Sequence, residues 1–333
     1  MQNNMQKIIA TVACSFALLC SPIASGYTEL TVFGDSLSDG GNVFQFVFQL
    51  TGQSFPPPPY AQRLSNGPTA VEVMAANLGL PLTPSLLGGR NYAYGGAETN
   101  VRNYFAVYPG VPPVINMLFK PPFPETGVLA QVQSFQSLGG TIAPNGLTVL
   151  WAGPNDVFEA LTLGNNPADI IAPAMANLGL EATILYAAGA RTILMPNMPD
   201  LGSIPFGLTS GNPAGLTAVS AVFNSFLDQT IAQLELGLPG LNIIEFDTFS
   251  FVDAAIANPA LHGFTNVTDP CFDGAVACIN PDQYIFWDTV HPTARAHEIL
   301  GDAFTAAAVP EPATPALVTI AMAVFAFSRR RLS

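Results

Sequence analysis

The chain alternates between short unbroken apolar runs and longer stretches in which apolar residues recur every three or four positions. The runs "LTVLW" (147–151) and "RTILM" (191–195) have no polar face, as strands covered on both sides require. The pattern predicts strands over Glu29–Phe33, Asn91–Tyr94, Leu147–Trp151, Thr192–Met195 and Asn242–Phe246. Helical spacing marks Thr69–Leu78, Ile170–Ala188, Leu216–Leu236 and Thr293–Ala307. Pro213 and Gly215 stand before the third of these and suit a helix start. Strand and helix in turn imply a parallel sheet with helices on both faces. Active groups in such sheets gather at the carboxyl ends of the strands. No repeat or linker divides residues 27–309, so they read as one domain. Two pieces interrupt the alternation. "FPPPPY" (55–60) is a stiff polyproline turn that would suit the rim of a cleft, and 103–127 reads as loop.

Composition adds a large core and an exclusion. Hydrophobic residues make up 49% and charged residues 10%, which rules out disorder over most of the length. Ten Lys and Arg face twenty-three Asp and Glu, for a net charge of −13. Such a surface repels phosphate backbones, so nucleic acid is not an expected partner.

Both ends read as addresses. Residues 1–26 hold Lys7, the apolar run Ile8–Cys20 and then "SPIASG", the order of a secretory signal peptide. A lipoprotein reading of Cys20 is set aside because Leu19, not a small residue, precedes it. At the other end Pro310, Pro312 and Pro315 precede the apolar run Ala316–Phe327 and the cluster Arg329–Arg331. That run spans only about 18 Å as a helix, whereas a bilayer core takes roughly twenty residues, so it suits transient membrane contact. Pro-Glu-Pro, a short apolar helix and a basic end resemble the PEP-CTERM sorting tail of Gram-negative bacteria that make exopolysaccharide. The resemblance implies processing of 310–333 by a membrane exosortase, and a periplasmic, cell-surface or extracellular location. Once the signal is removed, Cys271 and Cys278 are the cysteines left. In an exported domain this pair is expected to form one disulfide, worth roughly 2.5 kcal/mol for so short a loop.

Candidate chemistry lies just after the strands. In "TVFGDSLSDGGN" (31–42) Ser36 follows the first strand. A phosphate loop needs a Lys that is missing, and an EF-hand would put Leu37 and Phe46 at ligand positions. Nor does Gly-x-Ser-x-Gly fit, since Gly34-Asp35-Ser36-Leu37 is followed by Ser38 and not by a second glycine. On composition alone Ser36 is a turn serine or a nucleophile. "GGRNYAYGGAET" (88–99) and "WAGPNDVF" (151–158) bring small residues and an amide after two further strands. In "FWDTVHPTARAHEIL" (286–300) Asp288 stands three residues before His291, a spacing that lets a carboxylate accept from Nδ1 and leave Nε2 as base. The alternative for His291 is a surface residue at a helix start. His297 is expected on the surface of its helix, and His262 in a loop.

"GDSLSDGGN", "GRNYAYGGA", "GPND" and "DTVHP" occur in the order and rough spacing of the four blocks of the SGNH/GDSL hydrolases. "PPPPYAQRLSNGP" resembles the segment after the first block in the lipase and thermolabile-hemolysin branch. The resemblance covers residues 29–300. It implies a three-layer α/β/α sandwich with a five-stranded parallel sheet, flavodoxin-like in outline. It implies Ser36 as nucleophile, His291 as base and Asp288 as its orienting carboxylate. The Ser36 N–H, Asn155 and either Gly95 or Gly96 would form the oxyanion hole. No metal or organic cofactor is implied. The activity implied is hydrolysis of carboxylic esters by an exported serine esterase or lipase. Phe44, Phe46, Phe48 and Phe55 read either as an apolar acyl pocket or as core. Lipid acyl esters are the first substrate reading and acetyl groups on an exported polysaccharide the second. A third reading is a catalytically inactive surface or matrix binding protein on the same scaffold.

Overall fold

A computed structural model of the chain describes residues 26–309. The expected sorting tail and, apart from Gly26, the expected signal peptide lie outside the described residues.

The regular strands are β1 (Leu30–Gly34), β2 (Leu147–Trp151), β3 (Thr192–Pro196) and β4 (Asn242–Phe246). They pair in parallel in the order β1-β2-β3-β4. The fifth candidate, Asn91–Tyr94, runs along the outer edge of β1. Tyr92 N–H donates to Val32 O at 2.7 Å, Tyr94 N–H to Gly34 O at 3.1 Å, and Val32 N–H to Arg90 O at 2.9 Å. Its ladder is irregular because Asn91 Oδ1 accepts the Ala93 N–H, a local bond that competes with strand pairing. This segment fills the fifth sheet position. The chain therefore leaves β1 toward one side and returns at β2 on the other. The carboxyl end of β1 is the topological switch point, where open α/β sheets place their ligands.

The helices are α1 (Asn42–Thr51), α2 (Ala70–Leu78), α3 (Pro113–Leu118), α4 (Val128–Ser137), α5 (Pro154–Thr162), α6 (Ile171–Ala187), α7 (Pro205–Thr209), α8 (Pro213–Gly237), α9 (Thr248–Ala257) and α10 (Ala294–Ala308). Successive strand residues face opposite layers. Val32, Val149 and Leu194 pack with Met74 of α2 and Phe304 of α10. Phe33, Leu150 and Ile193 pack with Phe135 of α4, Leu178 of α6 and Phe223 of α8. Rings such as Phe33, Phe223 and Phe304 are fully buried, each worth roughly 1.5–3 kcal/mol of transfer. A smaller cluster joins α1 and α3 through Phe46, Ile115 and Phe119 to one side of the sheet's carboxyl end.

His297 is not on the surface. It is 1% exposed, and its Nδ1 accepts the Ala70 N–H of α2 at 3.2 Å. It belongs to an inward stripe of α10 with Leu300, Gly301, Phe304 and Ala308, at the three- and four-residue spacing that helix faces require. Burial, with the nearby His291, pushes it down to about 3, so it packs as a neutral ring. His262 ends a 3₁₀ turn, its ring near Phe264. Cys271 and Cys278 are bonded to each other.

Candidate active site

β1 ends at Gly34, and the chain turns at once. Ser38 N–H and Asp39 N–H both donate back to Asp35 O, which lifts Ser36 to the top of the sheet. Asp39 fixes this turn. Its Oδ1 accepts the N–H groups of Gly41 (2.7 Å) and Asn42 (2.6 Å), and its Oδ2 those of Val43 (3.1 Å) and Gly95 (2.9 Å). One carboxylate thus starts α1 and ties it to the glycine loop after the edge segment. Asn42 adds a second tie, donating to Asn91 O and Ala93 O. Burial pushes Asp39 up to about 6, and these backbone donors hold it from rising further.

The other half comes from the far end of the chain. Asp288 Oδ1 accepts the N–H groups of Val290 (2.8 Å) and His291 (2.7 Å), folding the segment back on itself. His291 Nδ1 lies 2.8 Å from Asp288 Oδ2 and 3.0 Å from Oδ1. Its Nε2 lies 2.8 Å from Ser36 Oγ. Burial alone would raise Asp288, but the His291 charge and the hydrogen bonds from His291 and Val290 outweigh it and hold the carboxyl below its ordinary range. A serine so placed can lose its proton to an imidazole whose tautomer is fixed from behind.

The donors that could face an oxyanion are unequal. Gly95 N–H is committed to Asp39. Among the described residues no acceptor engages the Gly96 N–H or the Ser36 N–H. Gly96 has φ +77°, and a Cβ there would sit 2.4 Å from Asn103 Oδ1, so only glycine fits. Of the two glycines left open by the sequence, Gly96 is the one with an N–H to give. Asn155 is carried in the first turn of α5. Its Nδ2 donates to Ala97 O at 3.0 Å and faces Asp35 Oδ2 at 3.4 Å. The long contact is the one an oxyanion could replace. Asp35 is buried, which pushes it up to about 7.

The sequence model of the GDSL-like lipase/acylhydrolase family matches residues 30–304, and that of the PEP-CTERM protein-sorting motif matches 308–331. The chain belongs to the GDSL-like lipase/acylhydrolase family. An uncharacterized protein in the trpE-trpG intergenic region of Pseudomonas putida is 29% identical over 314 residues, covering 86% of this chain. The chain spans 50% of that relative's length. A GDSL esterase/lipase of Arabidopsis thaliana is 28% identical over 316 residues, covering 81% of this chain and 82% of its own. The crystal structure of an acetyl xylan esterase, AlAXEase, aligns with a TM-score of 0.42 at 12% identity, covering 84% of this chain and 100% of that one. Carboxylic ester hydrolysis is the activity that the family and its Arabidopsis relatives support.

In this GDSL family member Ser36, Gly96, Asn155 and His291 all line one cleft of about 430 Å³. Its walls are aromatic: Phe55, Tyr60, Tyr104, Phe105, Tyr108 and Phe272. Of the four phenylalanines noted near Ser36, Phe55 lines the cleft. Phe46 is core, and Phe44 stacks on the half-exposed Phe48 elsewhere on α1. Pro56 and Pro57 form part of the cleft rim, as the polyproline turn implied. A recess of about 520 Å³ beside Asp228, Glu245 and Asp247 includes none of the site residues. Among the described residues no group of three His, Cys, Asp or Glu side chains is arranged to hold a metal ion.

Sequence reasoning missed Tyr60. Its hydroxyl donates to Asp288 Oδ2 at 2.8 Å. Its ring packs edge-on against Phe272 and Trp287. Burial, and then the Asp288 charge, push the phenol far up, so it stays a donor. The available signal was its place at the end of "FPPPPY", a rigid turn with one polar tip.

Proposed function

We propose that this GDSL hydrolase is a serine esterase working through Ser36, His291 and Asp288. His291 Nε2 takes the Ser36 proton as Oγ bonds to the ester carbonyl carbon, and the carbonyl electrons move onto oxygen. The N–H groups of Ser36 and Gly96, joined by Asn155, receive that oxyanion. As the tetrahedral centre collapses, the carbon–oxygen bond to the alcohol breaks, and the alcohol leaves with the proton from His291. Water repeats the sequence on the acyl-enzyme, freeing the acid and Ser36. The observation that carries this reading is the unbroken hydrogen-bond chain from Asp288 through both nitrogens of His291 to Ser36 Oγ, with neither link longer than 3.0 Å.

The test is hydrolysis of p-nitrophenyl esters. Ser36→Ala and His291→Ala should each lower kcat by about 10⁴-fold or more. A fluorophosphonate probe should label the native protein and not Ser36→Ala. Unchanged activity in either variant overturns the assignment. Absence of labelling in the native protein would instead favour the inactive binding scaffold.

The sorting motif supports delivery to the cell envelope of a Gram-negative bacterium. We infer a signal peptide in 1–26, the hydrolase in 27–309, and exosortase-type removal of 310–333 after transient membrane contact. Intact mass measurement of protein released from the cell surface reads both cut sites. For substrate, the aromatic walls favour an ester with a large apolar part, the wider class to which the lipid reading belongs, over a polysaccharide.

A further inference from the structure

Ser36 stands at the junction of two cavities of very different size. One is the aromatic cleft of about 430 Å³. The other is a chamber of about 50 Å³ over the carboxyl ends of β2, β3 and β4. Ser36, Asn155, Phe158 and Val290 border both. His291 and Gly96 border only the cleft. The chamber is walled by Leu37, Trp151, Leu201, Ile204 and Phe286, every one of them buried.

An ester has two arms, and the chemistry proposed above sorts them. The alcohol arm must leave with a proton from His291, so it lies in the cavity that His291 borders. The acyl arm stays on Ser36 and extends away from the imidazole. On the Asn155 side the enclosed apolar space is the chamber. Size then sets the chain length. An apolar cavity of about 150 Å³ holds one benzene. A chamber of 50 Å³ has room for a methyl or ethyl group, and a longer chain would have to displace packed side chains. The cleft sets the other arm. Outside the catalytic residues, its Tyr60 and Tyr104 hydroxyls already serve Asp288 and Thr162. That leaves Tyr108, Asp273 and Thr289 to meet the hydroxyls of a sugar on a wall otherwise made largely of Phe and Tyr rings.

We propose that the substrates are acetyl or propionyl esters of bulky apolar alcohols, the short arm in the Leu201–Ile204 chamber and the large arm against the aromatic cleft. This rests on Ser36 being the nucleophile. The test uses the full-length protein with 1-naphthyl acetate, butanoate and octanoate, ethyl acetate and an acetylated glycan. kcat/KM should be at least tenfold higher for naphthyl acetate than for the octanoate, and higher than for ethyl acetate or the glycan. Ile204→Ala and, separately, Leu201→Ala should narrow the acetate-to-octanoate ratio by several-fold while labelling by the fluorophosphonate persists. Octanoate hydrolysed as fast as acetate, preference for the glycan, or ratios unmoved in both labelled variants would overturn the inference. Hydrolysis surviving in Ser36→Ala would instead overturn the nucleophile assignment beneath it.

Discussion

The two halves of the site are held by different physics. The nucleophile turn, 34–43, is a lattice of buried backbone bonds: Asp39 takes four N–H groups and Asn42 gives to two carbonyls. The base segment, 286–293, has backbone bonds of its own, such as Trp287 N–H to His291 O at 2.7 Å, but it also leans on side chains from distant loops. Tyr60 reaches Asp288, Phe272 stacks on Trp287 with ring centroids 5.6 Å apart, and the Cys271–Cys278 bond closes the loop that carries Phe272. A fault in the first half should therefore damage folding, and a fault in the second should damage rate.

Asp39→Ala is the strongest way to break this comparison. It strands four buried or partly buried N–H donors at roughly 1–3 kcal/mol each where water cannot replace the carboxylate. Total stability of a domain is about 5–15 kcal/mol. The expected outcome is a melting midpoint lower by on the order of 10 °C, or loss of soluble protein. Asp39→Asn keeps one acceptor and should fall between. An Asp39→Ala protein that melts like the native one would show that the turn does not depend on this carboxylate.

Tyr60→Phe should do the reverse. The ring and its packing stay, and one hydrogen bond to a charged carboxylate goes, a change of about 1.5–3 kcal/mol at most. Melting should fall by a few degrees at most, less than in Asp39→Ala. kcat should drop by about tenfold, with KM less affected. A purely structural tyrosine would instead lower the melting midpoint and leave kcat in place.

The same contrast explains what the sequence discloses. The nucleophile turn is local: Gly34, Asp35, Ser36, Asp39 and Asn42 sit within nine residues, and the strand before them is an unbroken apolar run. Asp288 and His291 are legible for the same reason, three positions apart. The cleft walls are not. Tyr60, Tyr104, Phe105, Tyr108 and Phe272 come from loops without periodicity, and their rings converge only when those loops close over the sheet. The starts of α1 and α5 are hidden in the sequence because each follows a glycine with positive φ, Gly41 at +126° and Gly153 at +138°, inside what reads as loop. His297 faces inward because it shares the stripe of Leu300, Gly301 and Phe304 on α10, a pattern that its six-residue distance from His291 does not disclose.

Asp35 lies where the two halves meet, and it offers the sharpest test. It is the buried neighbour of Ser36, it faces Asn155, and the His291 charge reaches it. Burial lifts it from 3.8 to about 7. The folded state therefore binds this proton more tightly than the unfolded chain does. Its contribution to stability is fully present below about pH 4 and is lost as pH rises toward 7, the opposite of a salt-bridged carboxylate. Asp35→Asn removes the titration and keeps an oxygen able to accept from Leu37 N–H. Denaturant unfolding should find the variant close to native below about pH 4, increasingly ahead of it as pH rises, and more stable by up to a few kcal/mol at pH 8, so pH 4 and pH 8 are the two points to compare. If the gap is the same at both pH values, Asp35 is not a proton store in the fold. If the variant is less stable only at pH 8, its carboxylate is held charged by His291 and Asn155, and the nucleophile turn depends on the base segment after all.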